Sequence, residues 1–290
     1  MSQENQFLPS ILSIVNNAEK IFKDGASVQE VNRIPQPQRI PQRGNHWKKV
    51  KNIISVFVDM KGSTKLSAVK HDKSTAEIYQ FFTDTMVRIA RTFGSSYVDI
   101  KGDGVFALFN GDLPHTALCA AVSCKTFATE NFHKKTKSKR AVDLECHIGI
   151  DCKTVLVKRV GMEPRGGDDS HLRNEVWAGR PVNMSAKLAG YAGSGELLAS
   201  DRFYNQLTES KAIYSCGCGP QEGEPEVLWE ETDVSGDDKF DFEKAFLLRS
   251  QWCSVHGKEY CKALLDTEKD ARQEAFKSDI HMAESLLVRT

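Results

Sequence analysis

The sequence predicts an α+β fold in which an antiparallel sheet carries helices on one face. Three observations support this prediction. Runs of β-branched and aromatic residues alternate with segments of helical apolar spacing, a Gly-Asp-Gly turn separates two short strand-like runs, and from residue 52 onward the segments follow the order β-α-β-β-α-β. This order is typical of ferredoxin-like domains.

The first half of the predicted domain contains a strand, a helix and a hairpin. Residues 52–60 form a mostly apolar run that is long enough for a buried strand. Residues 74–93 have apolar side chains at helical spacing and open on Ser74 and Glu77, the spacing of a capping box. Residues 97–109 contain strand-like runs on both sides of the Gly-Asp-Gly turn, which predicts a hairpin.

The second half continues the alternation of helix and strand. Residues 113–132 predict a second long helix, and residues 143–161 predict two more strands. Residues 180–193 predict a further helix, because Pro181 suits its first turn and a glycine follows its end. Residues 195–200 predict another strand. The six-element order is therefore followed by extra strands.

Less regular segments lie on both sides of this domain. Residues 11–23 predict a short amphipathic helix, and three prolines within residues 34–43 predict an extended connector. Residues 227–233 predict a strand, and residues 239–288 are expected to be largely helical. The predicted division is an N-terminal helical arm and Pro-rich linker (1–45), a catalytic domain (46–205) and a mainly helical C-terminal extension of unassigned role (206–290).

Composition and charge exclude several classes of partner. The chain has 290 residues and equal numbers of basic and acidic side chains, 39 each, so no net field attracts it to nucleic acid or to an anionic membrane. No apolar run reaches the roughly 18 residues of a membrane helix, and the first residues lack the features of a signal peptide. We expect a cytoplasmic protein with neither nucleic acid nor a membrane as its partner.

The eight cysteines are scattered, which predicts thiols rather than disulfides in a reducing compartment. A structural zinc ion would need four ligands from the one local cluster of candidates. However, a C-x-C pair and a distant C-x-x-H lack the usual paired C-x-x-C knuckles, so the spacing argues against structural zinc. The five candidates are Cys216, Cys218, Cys253, His256 and Cys261.

Two carboxylates are expected to meet at one edge of the predicted sheet. Asp59 lies at the end of the first strand, Asp103 lies in the hairpin turn, and in this topology the two strand ends are neighbours. Close carboxylates repel each other, and a hard divalent cation usually offsets that repulsion. Gly62, Ser63 and Thr64 follow at a helix start, whose N–H groups suit a triphosphate. The hypothesis is a two-metal site for phosphoryl transfer.

Turn chemistry is the alternative explanation for these aspartates. It would account for Asp103 alone, because aspartate is common in glycine turns. It does not account for Asp59, which closes a mostly apolar run where an unpaired charge would be costly. Taken together, the two residues favour the metal site.

Four segments follow one another between residues 52 and 200: SVFVDMKGSTKLS, DIKGDGVFALF, CHIGIDCKTVLVKRVG and VWAGRPVNMSAKLAGYAGSGELLAS. In this order and spacing they resemble the successive motifs of class III nucleotidyl cyclases, over about half of the chain. The resemblance implies a class III cyclase homology domain and a head-to-tail homodimer with active sites at the subunit interface. In these enzymes the 3′-hydroxyl of the substrate attacks the α-phosphate, giving a 3′,5′-cyclic nucleotide and pyrophosphate.

The resemblance also implies roles for single residues. Asp59 and Asp103 match the two metal-binding aspartates, and the Met60 carbonyl should help to hold one of two Mg²⁺ or Mn²⁺ ions. Asn183 matches the asparagine that positions the ribose. Lys187 stands where the family usually has an arginine for the charge on the α-phosphate, and it shares a helix face with Asn183. Lysine would supply this charge as a point rather than a fork, or it could simply be a solvated helix lysine.

The base-selecting positions differ from those of purine cyclases. Where adenylate cyclases have a lysine and an aspartate, this chain has Asp99 and Val176, and the inserted Ala178 makes Glu175 or Trp177 alternatives for the second position. The pair also differs from the glutamate and cysteine of guanylate cyclases. Missing hydrogen-bond partners argue against ATP or GTP as the preferred substrate. A bulky tryptophan near the base would favour a single ring, although it could instead pack on the sheet.

The segment VWAGRPVNMSAKL makes the chain most similar to the bacterial pyrimidine cyclases of Pycsar antiphage systems. These enzymes make cyclic UMP or cyclic CMP, which activates a separate effector. The resemblance therefore implies a pyrimidine nucleoside triphosphate as the substrate, and of the two we favour UTP. The alternatives are CTP, an adenylate cyclase and a catalytically silent nucleotide sensor. An RNA-binding sheet is a further alternative, but the GVFALF strand lacks the flanking charge that it would need.

Overall fold

The computed structural model of the chain describes residues 7–63, 66, 72–140, 142–161, 173–218 and 223–274. The chain forms two compact units. The first contains Met1–Lys51 and Val155–Ala178, and the second contains Asn52–Thr154 and Gly179–Thr290. The predicted boundaries of the arm, catalytic domain and extension stay a prediction.

The first unit begins with helix α1 (Pro9–Asp24), which covers the predicted amphipathic segment and buries none of its residues. Strand β1 (Ser27–Val31) follows and pairs in parallel with the first residues of β2 (His46–Lys61). The Pro-rich connector contains one 3-10 turn at Pro37–Arg39. Sequence periodicity did not predict β1, because only a short run of alternating residues marks it.

The second unit contains a sheet that, in the described part of the chain, has the strand order β3-β4-β2-β5-β7-β9-β8. Antiparallel pairing joins β2 to β4, β3 to β4, β7 to β9 and β8 to β9, whereas β5 and β7 are parallel. A mixed fold with a mostly antiparallel sheet confirms the predicted α+β class. The remaining strands are β3 (Tyr97–Lys101), β4 (Gly104–Asn110), β5 (Glu145–Gly161), β6 (Arg173–Gly179, paired with β5), β7 (Leu197–Ser200), β8 (Trp229–Asp233) and β9 (Lys244–Leu248).

Two long helices cover one face of this sheet. Helix α2 (Asp72–Thr92) and helix α3 (Pro114–Phe127) share a core with the alternate β2 residues Ile54, Val56 and Val58. Alternation along a strand sends every second side chain to the same face, so these residues build the predicted helix-covered face. Helix α3 continues through a π-helical turn into helix α4, and the bounds of these two elements are Ala128–His133 and Lys134–Arg140.

Helix α5 (Arg180–Tyr191) packs on the opposite face of the sheet. The Ser55 and Ser185 hydroxyls lie 2.6 Å apart and are buried between β2 and α5. A Cβ at Gly149 would lie 1.9 Å from the Ser185 carbonyl oxygen. Only glycine permits this close approach of helix and strand.

The C-terminal part of the second unit adds both strands and helices. Residues 143–161, predicted as two strands, contain the single 17-residue strand β5. Strand β9 corrects the expectation of a largely helical segment after residue 239. The Glu268 carboxylate accepts hydrogen bonds from the N–H groups of His115 and Thr116, at 2.7 and 2.8 Å, and so caps α3. The further helices are α6 (Asp201–Tyr204), α7 (Ser210–Ile213) and α8 (Gly257–Thr267).

None of the described helices combines the length and the apolar character that crossing a bilayer requires.

Candidate active site

Asp59 and Asp103 lie at neighbouring ends of paired strands. The β2–β4 register pairs Val58 with Val105, so Asp59 lies across from Gly104, the residue after Asp103. A Cβ at Gly104 would lie 3.1 Å from Asp59 Oδ1 and closer still to the Phe57 ring. Glycine at this position therefore leaves room for the Asp59 carboxylate. Strand pairing alone brings the two aspartates to the same edge of the sheet.

The hairpin turn before Gly104 places Asp103 at this edge. Lys101 pairs with Gly104 across a two-residue turn, and Gly102 has a φ of 66°, in the left-handed region that favours glycine. The Lys101 ammonium lies 2.7 Å from Asp99 Oδ2. Lys101 therefore pairs with Asp99 of the same strand, and Asp103 lies in the turn.

His147 is the residue of this site that the sequence analysis did not single out. Its Nε2 lies 3.1 Å from Asp59 Oδ2. The His147 side chain is largely buried, and the Asp59 side chain is partly buried. His147 Nδ1 is buried and has no hydrogen-bond partner among the described residues. A signal was present in the sequence, because His147 alternates with the apolar residues Cys146 and Ile148 and so faces the Asp59 side of the sheet.

Asn183 and Lys187 occupy the exposed side of α5. The helix buries Met184, Ser185 and Leu188, and the i, i+4 spacing places Asn183 and Lys187 together on the other side. Lys187 Nζ donates a hydrogen bond to the Lys239 carbonyl oxygen at 2.6 Å. Among the hydrogen bonds and ion pairs of the described residues, neither side chain contacts either aspartate.

The predicted phosphate-binding segment directly follows β2. Gly62 has a φ of 95°, which favours glycine, and its carbonyl accepts a hydrogen bond from the Leu66 N–H at 3.3 Å. Ser63 begins this helical turn, and Thr64 lies outside the described residues. The Met60 side chain is buried in the core, so its backbone carbonyl is the group available to an ion.

Comparison with known proteins identifies the family. No protein-family model matches the chain. A uridylate cyclase from Propioniciclava tarda is 33% identical over 282 residues, which cover 93% of this chain and 87% of that protein. The chain belongs to the uridylate cyclase family. A second uridylate cyclase, from Micromonospora echinofusca, is 33% identical over 238 residues, 79% of this chain and 74% of that protein.

Solved structures show the same fold at lower identity. The adenylyl cyclase CyaB from P. aeruginosa superposes with a TM-score of 0.55 at 18% identity, covering 71% of this chain and 96% of that one. The guanylyl cyclase Cya2 gives a TM-score of 0.52 at 17% identity, covering 69% and 91%. The predicted class III cyclase fold is confirmed. Together with the family, it makes this protein an enzyme, a nucleotidyl cyclase.

The donor set of the cyclase fits a divalent cation. Carboxylates and a backbone carbonyl are the hard oxygen ligands that Mg²⁺ and Mn²⁺ prefer. Asp59 and Asp103 supply such oxygens at one edge, and Gly104 keeps the space beside Asp59 Oδ1 open. Class III cyclases are generally dependent on divalent metals. The number and identity of the ions stay a prediction.

The predicted base-selecting residues fall in both units of the cyclase. Asp99 lies on β3 in the second unit, where Lys101 holds its carboxylate. Val176 and Trp177 lie on β6 in the first unit, with Val176 exposed and Trp177 buried. Glu175, the alternative, accepts a hydrogen bond from Arg159 Nε at 2.9 Å. Their roles in base selection stay a prediction.

A network of ion pairs that includes the buried Asp151 reaches the first residue of α5. Arg202 donates to both carboxylate oxygens of the fully buried Asp151, at 2.7 and 2.6 Å. It also lies 3.0 Å from Asp241, which in turn pairs with Lys153 and with Arg180 at the start of α5. Burial raises the pKa of Asp241. The hydrogen bonds from Arg202, Lys153 and Arg180 lower it by a larger amount, so the pKa lies well below its usual range. The network fixes the start of the helix that carries Asn183.

Proposed function

We propose that this cyclase converts UTP to 3′,5′-cyclic UMP and pyrophosphate with the help of Mg²⁺ or Mn²⁺. The observation that carries the proposal is the 33% identity, over 93% of the chain, to a protein named uridylate cyclase. The chemistry of the site supports it, because two carboxylates share one edge of the sheet. UTP rather than CTP is proposed from the names of these relatives.

Asp59, Asp103 and the Met60 carbonyl would hold the ions, two in each site. A bound divalent cation supplies positive charge next to the phosphates, which stabilises negative charge in the transition state. His147 would orient the Asp59 carboxylate through the 3.1 Å contact between Nε2 and Oδ2. Gly62, Ser63 and Thr64 would offer backbone N–H groups to the distal phosphates.

Asn183 would orient the ribose so that the 3′-hydroxyl faces the α-phosphate. Lys187 would offer a cation to the charge that develops on that phosphate. Its ammonium now donates to one neutral carbonyl, that of Lys239, and an ammonium has three N–H groups. Two donors therefore stay available for a phosphate oxygen.

A second copy of the chain would complete each active site. In one chain, Asn183 and Lys187 lie on the exposed side of α5 and make no hydrogen bond or ion pair with the aspartates among the described residues. In a head-to-tail homodimer, the aspartates of one subunit would face the asparagine and lysine of the other. Two identical sites would then lie at the subunit interface.

Three residues are proposed to select the base of the substrate. Asp99, Val176 and Trp177 replace the polar pair that reads a purine, so the polar edge of a purine would lack its matched hydrogen-bond partners. The Lys101 ammonium lies 2.7 Å from the Asp99 carboxylate. We assign these residues to selection of the uracil ring.

The product is proposed to be a messenger in antiviral defence that acts on a separate effector in the cytoplasm. The resemblance to antiphage pyrimidine cyclases supports this role. The test is to measure cyclic UMP in phage-infected and uninfected cells that carry either the wild-type gene or the Asp59→Ala, Asp103→Ala variant. A rise on infection in wild-type cells alone supports the role, and equal levels before and after infection contradict it.

The decisive experiment incubates the purified protein with each of the four ribonucleoside triphosphates in Mg²⁺ and in Mn²⁺ and resolves the products by mass spectrometry. We expect cyclic UMP from the wild type and none from the Asp59→Ala, Asp103→Ala double variant. Asp84→Ala is the matched control, because Asp84 is an exposed helix aspartate that should leave activity unchanged. Cyclic CMP as the product would show that the substrate is CTP rather than UTP. Cyclic AMP would overturn the pyrimidine assignment, and the absence of any product under all conditions would favour a nucleotide sensor.

A further inference from the structure

A cluster of sulfur and nitrogen ligands lies in the C-terminal part of the second unit. The Sγ atoms of Cys216, Cys218 and Cys253 and a ring nitrogen of His256 all lie within 4.8 Å of one another. Cys218 Sγ is 3.2 Å from His256 Nδ1, although the two residues are 38 positions apart in the chain. We propose that these four residues bind a structural zinc ion.

The spacing of the four atoms fits the geometry of zinc. Tetrahedral zinc with Zn–S bonds of about 2.3 Å and Zn–N bonds of about 2.0 Å places its ligand atoms roughly 3.5 to 3.8 Å apart. The cluster therefore needs only small side-chain adjustments to enclose an ion. Three thiolates and one imidazole are soft or borderline ligands that select zinc over the oxygen-binding Mg²⁺ and Mn²⁺. Four protein ligands leave no open position, which makes the site structural rather than catalytic.

Backbone conformation and hydrogen bonding position both halves of the cluster, the Cys216–Cys218 turn and the Cys253–His256 turn. Gly217 has a φ of 76°, and this left-handed residue turns the chain between Cys216 and Cys218. In the second half, the Val255 N–H donates to Cys253 Sγ at 3.4 Å.

The proposal departs from the argument from spacing against structural zinc. That argument rested on the missing pair of C-x-x-C knuckles. The tertiary structure instead joins a C-x-C turn to a C-x-x-H turn and brings their ligand atoms together. Cys261, the fifth candidate, lies outside the set, and its backbone carbonyl accepts a hydrogen bond from the Cys119 thiol at 3.9 Å. The structure thus selects four of five candidates, the number that zinc requires.

A zinc ion here would fasten α8 to the sheet domain. Cys253 and His256 lie just before the first residue of α8, and Cys216 and Cys218 lie in the loop after α7. The other end of α8 is already anchored, because Glu268 caps α3. At the first end, the Tyr260 hydroxyl donates to the Ser215 carbonyl at 3.2 Å. The ion would add a stronger connection between the same two segments.

The test measures the metal content of the full-length protein. We expect about one zinc ion per chain by plasma mass spectrometry after dialysis against metal-free buffer. The Cys218→Ser variant should lose this zinc, and Cys218 is the exposed member of the set, so its replacement disturbs packing least. The matched control, Cys261→Ser, should keep it. Zinc at background level in the wild type, or full zinc in Cys218→Ser, would overturn the proposal.

A second measurement decides the question if the variant does not fold. The wild type is stripped with a chelator and titrated with Co²⁺, whose intense visible absorption reports tetrahedral thiolate ligation. Saturation at one equivalent and reversal by zinc are expected. The weak spectrum of octahedral cobalt, or a disulfide between two of the three cysteines, would overturn the proposal. Neither readout depends on cyclase activity, so this inference and the proposed function fail independently.

Discussion

Two regions of the second unit bring together groups suited to binding a metal ion, and they do so in different ways. At the sheet edge, Asp59 and Asp103 are brought together by the register of β2 and β4, and their donors are carboxylate oxygens. In the C-terminal region, the Cys/His cluster is formed by two loops distant in sequence, and its donors are sulfur and nitrogen. The sheet holds the first set whether or not an ion is bound. The second set lies in loops that an ion would hold in place.

A site on paired strands and a site on loops should therefore respond differently to metal removal. Loss of metal at the sheet edge should stop the reaction and leave the fold intact. Loss of metal at the cluster should loosen α8 first, because the loops before α8 and after α7 carry the ligands. The predictions below test this difference, in order of decreasing effect.

The largest effect is expected from Asp59→Ala. A metal ligand contributes several kcal/mol of charge stabilisation, so kcat should fall about a thousandfold. The thermal unfolding midpoint should change little, because the carboxylate is partly exposed. The measurements are cyclic nucleotide production and a melting curve on the same sample. A much lower unfolding midpoint for the variant would show that Asp59 stabilises the fold. That result would contradict the difference expected between the sheet edge and the Cys/His cluster.

The second effect concerns the network that supports α5. Arg202→Met leaves the buried Asp151 carboxylate unpaired and should lower the free energy of unfolding by about 3–5 kcal/mol. Denaturant unfolding provides the value. The matched control is Arg88→Met, which removes an exposed i, i+4 ion pair with Asp84 and should cost under about 1 kcal/mol. Equal costs for the two variants would show that the buried pair contributes no more than a surface one.

A third prediction sharpens the description of the sheet edge. His147→Ala removes the group that orients Asp59 and should raise the metal concentration for half-maximal activity about 10–100-fold. The rate at saturating metal should fall less, because the carboxylate is still present. Titrations of activity with Mn²⁺ provide both quantities. If only the saturating rate falls, His147 contacts the substrate instead of positioning the aspartate.

The fourth prediction tests whether two chains share a site. Asp59→Ala, Asp103→Ala protein and Asn183→Ala protein should each be inactive. Mixed and allowed to exchange subunits, they should recover about a quarter of wild-type activity, since half of the dimers would be mixed and each would hold one intact site of two. No recovery, with subunit exchange shown by differently tagged chains, would place all the catalytic residues in a single chain.

The smallest effect is a change in the pH dependence of stability. The folded state holds the pKa of Asp241 below that of the unfolded chain, so this carboxylate stabilises the fold above about pH 4 and loses that contribution as the pH falls through the folded pKa. Wild-type melting temperatures should therefore drop more steeply on acidification than those of Asp241→Asn. The exposed neighbour Asp238 provides the control substitution. Parallel slopes for wild type and Asp241→Asn would contradict the prediction.

The sequence predicted most of the fold because its strands and long helices have clear apolar periodicity. The helix over 74–93 and the hairpin over 97–109 correspond to α2, β3 and β4 within a few residues. The errors fall where periodicity is ambiguous. Strand β5 is buried along much of its length, and its sequence was predicted to form two strands. Strand β9 is a short apolar run next to helical sequence and was predicted to be part of a helix.

The candidate site was predictable where local order and topology suffice. Asp59 ends one strand and Asp103 sits in the turn of its neighbour, so the topology alone placed them together. His147 was missed because its one signal, alternation with apolar neighbours, is common to many strand residues, and its contact with Asp59 joins residues 88 positions apart. The roles assigned to Asn183, Lys187 and the base-selecting residues stay predictions.

The sequence by itself determined the fold class, the paired aspartates and the cyclase family, because each depends on local pattern or on motifs in a specific order. Only the tertiary structure decided which ligands of the Cys/His cluster come together, how Glu268 caps α3 and which network anchors α5. These contacts join residues that are far apart in the chain. Their partners depend on how helices and loops pack on the sheet, and no spacing along a single segment encodes that packing.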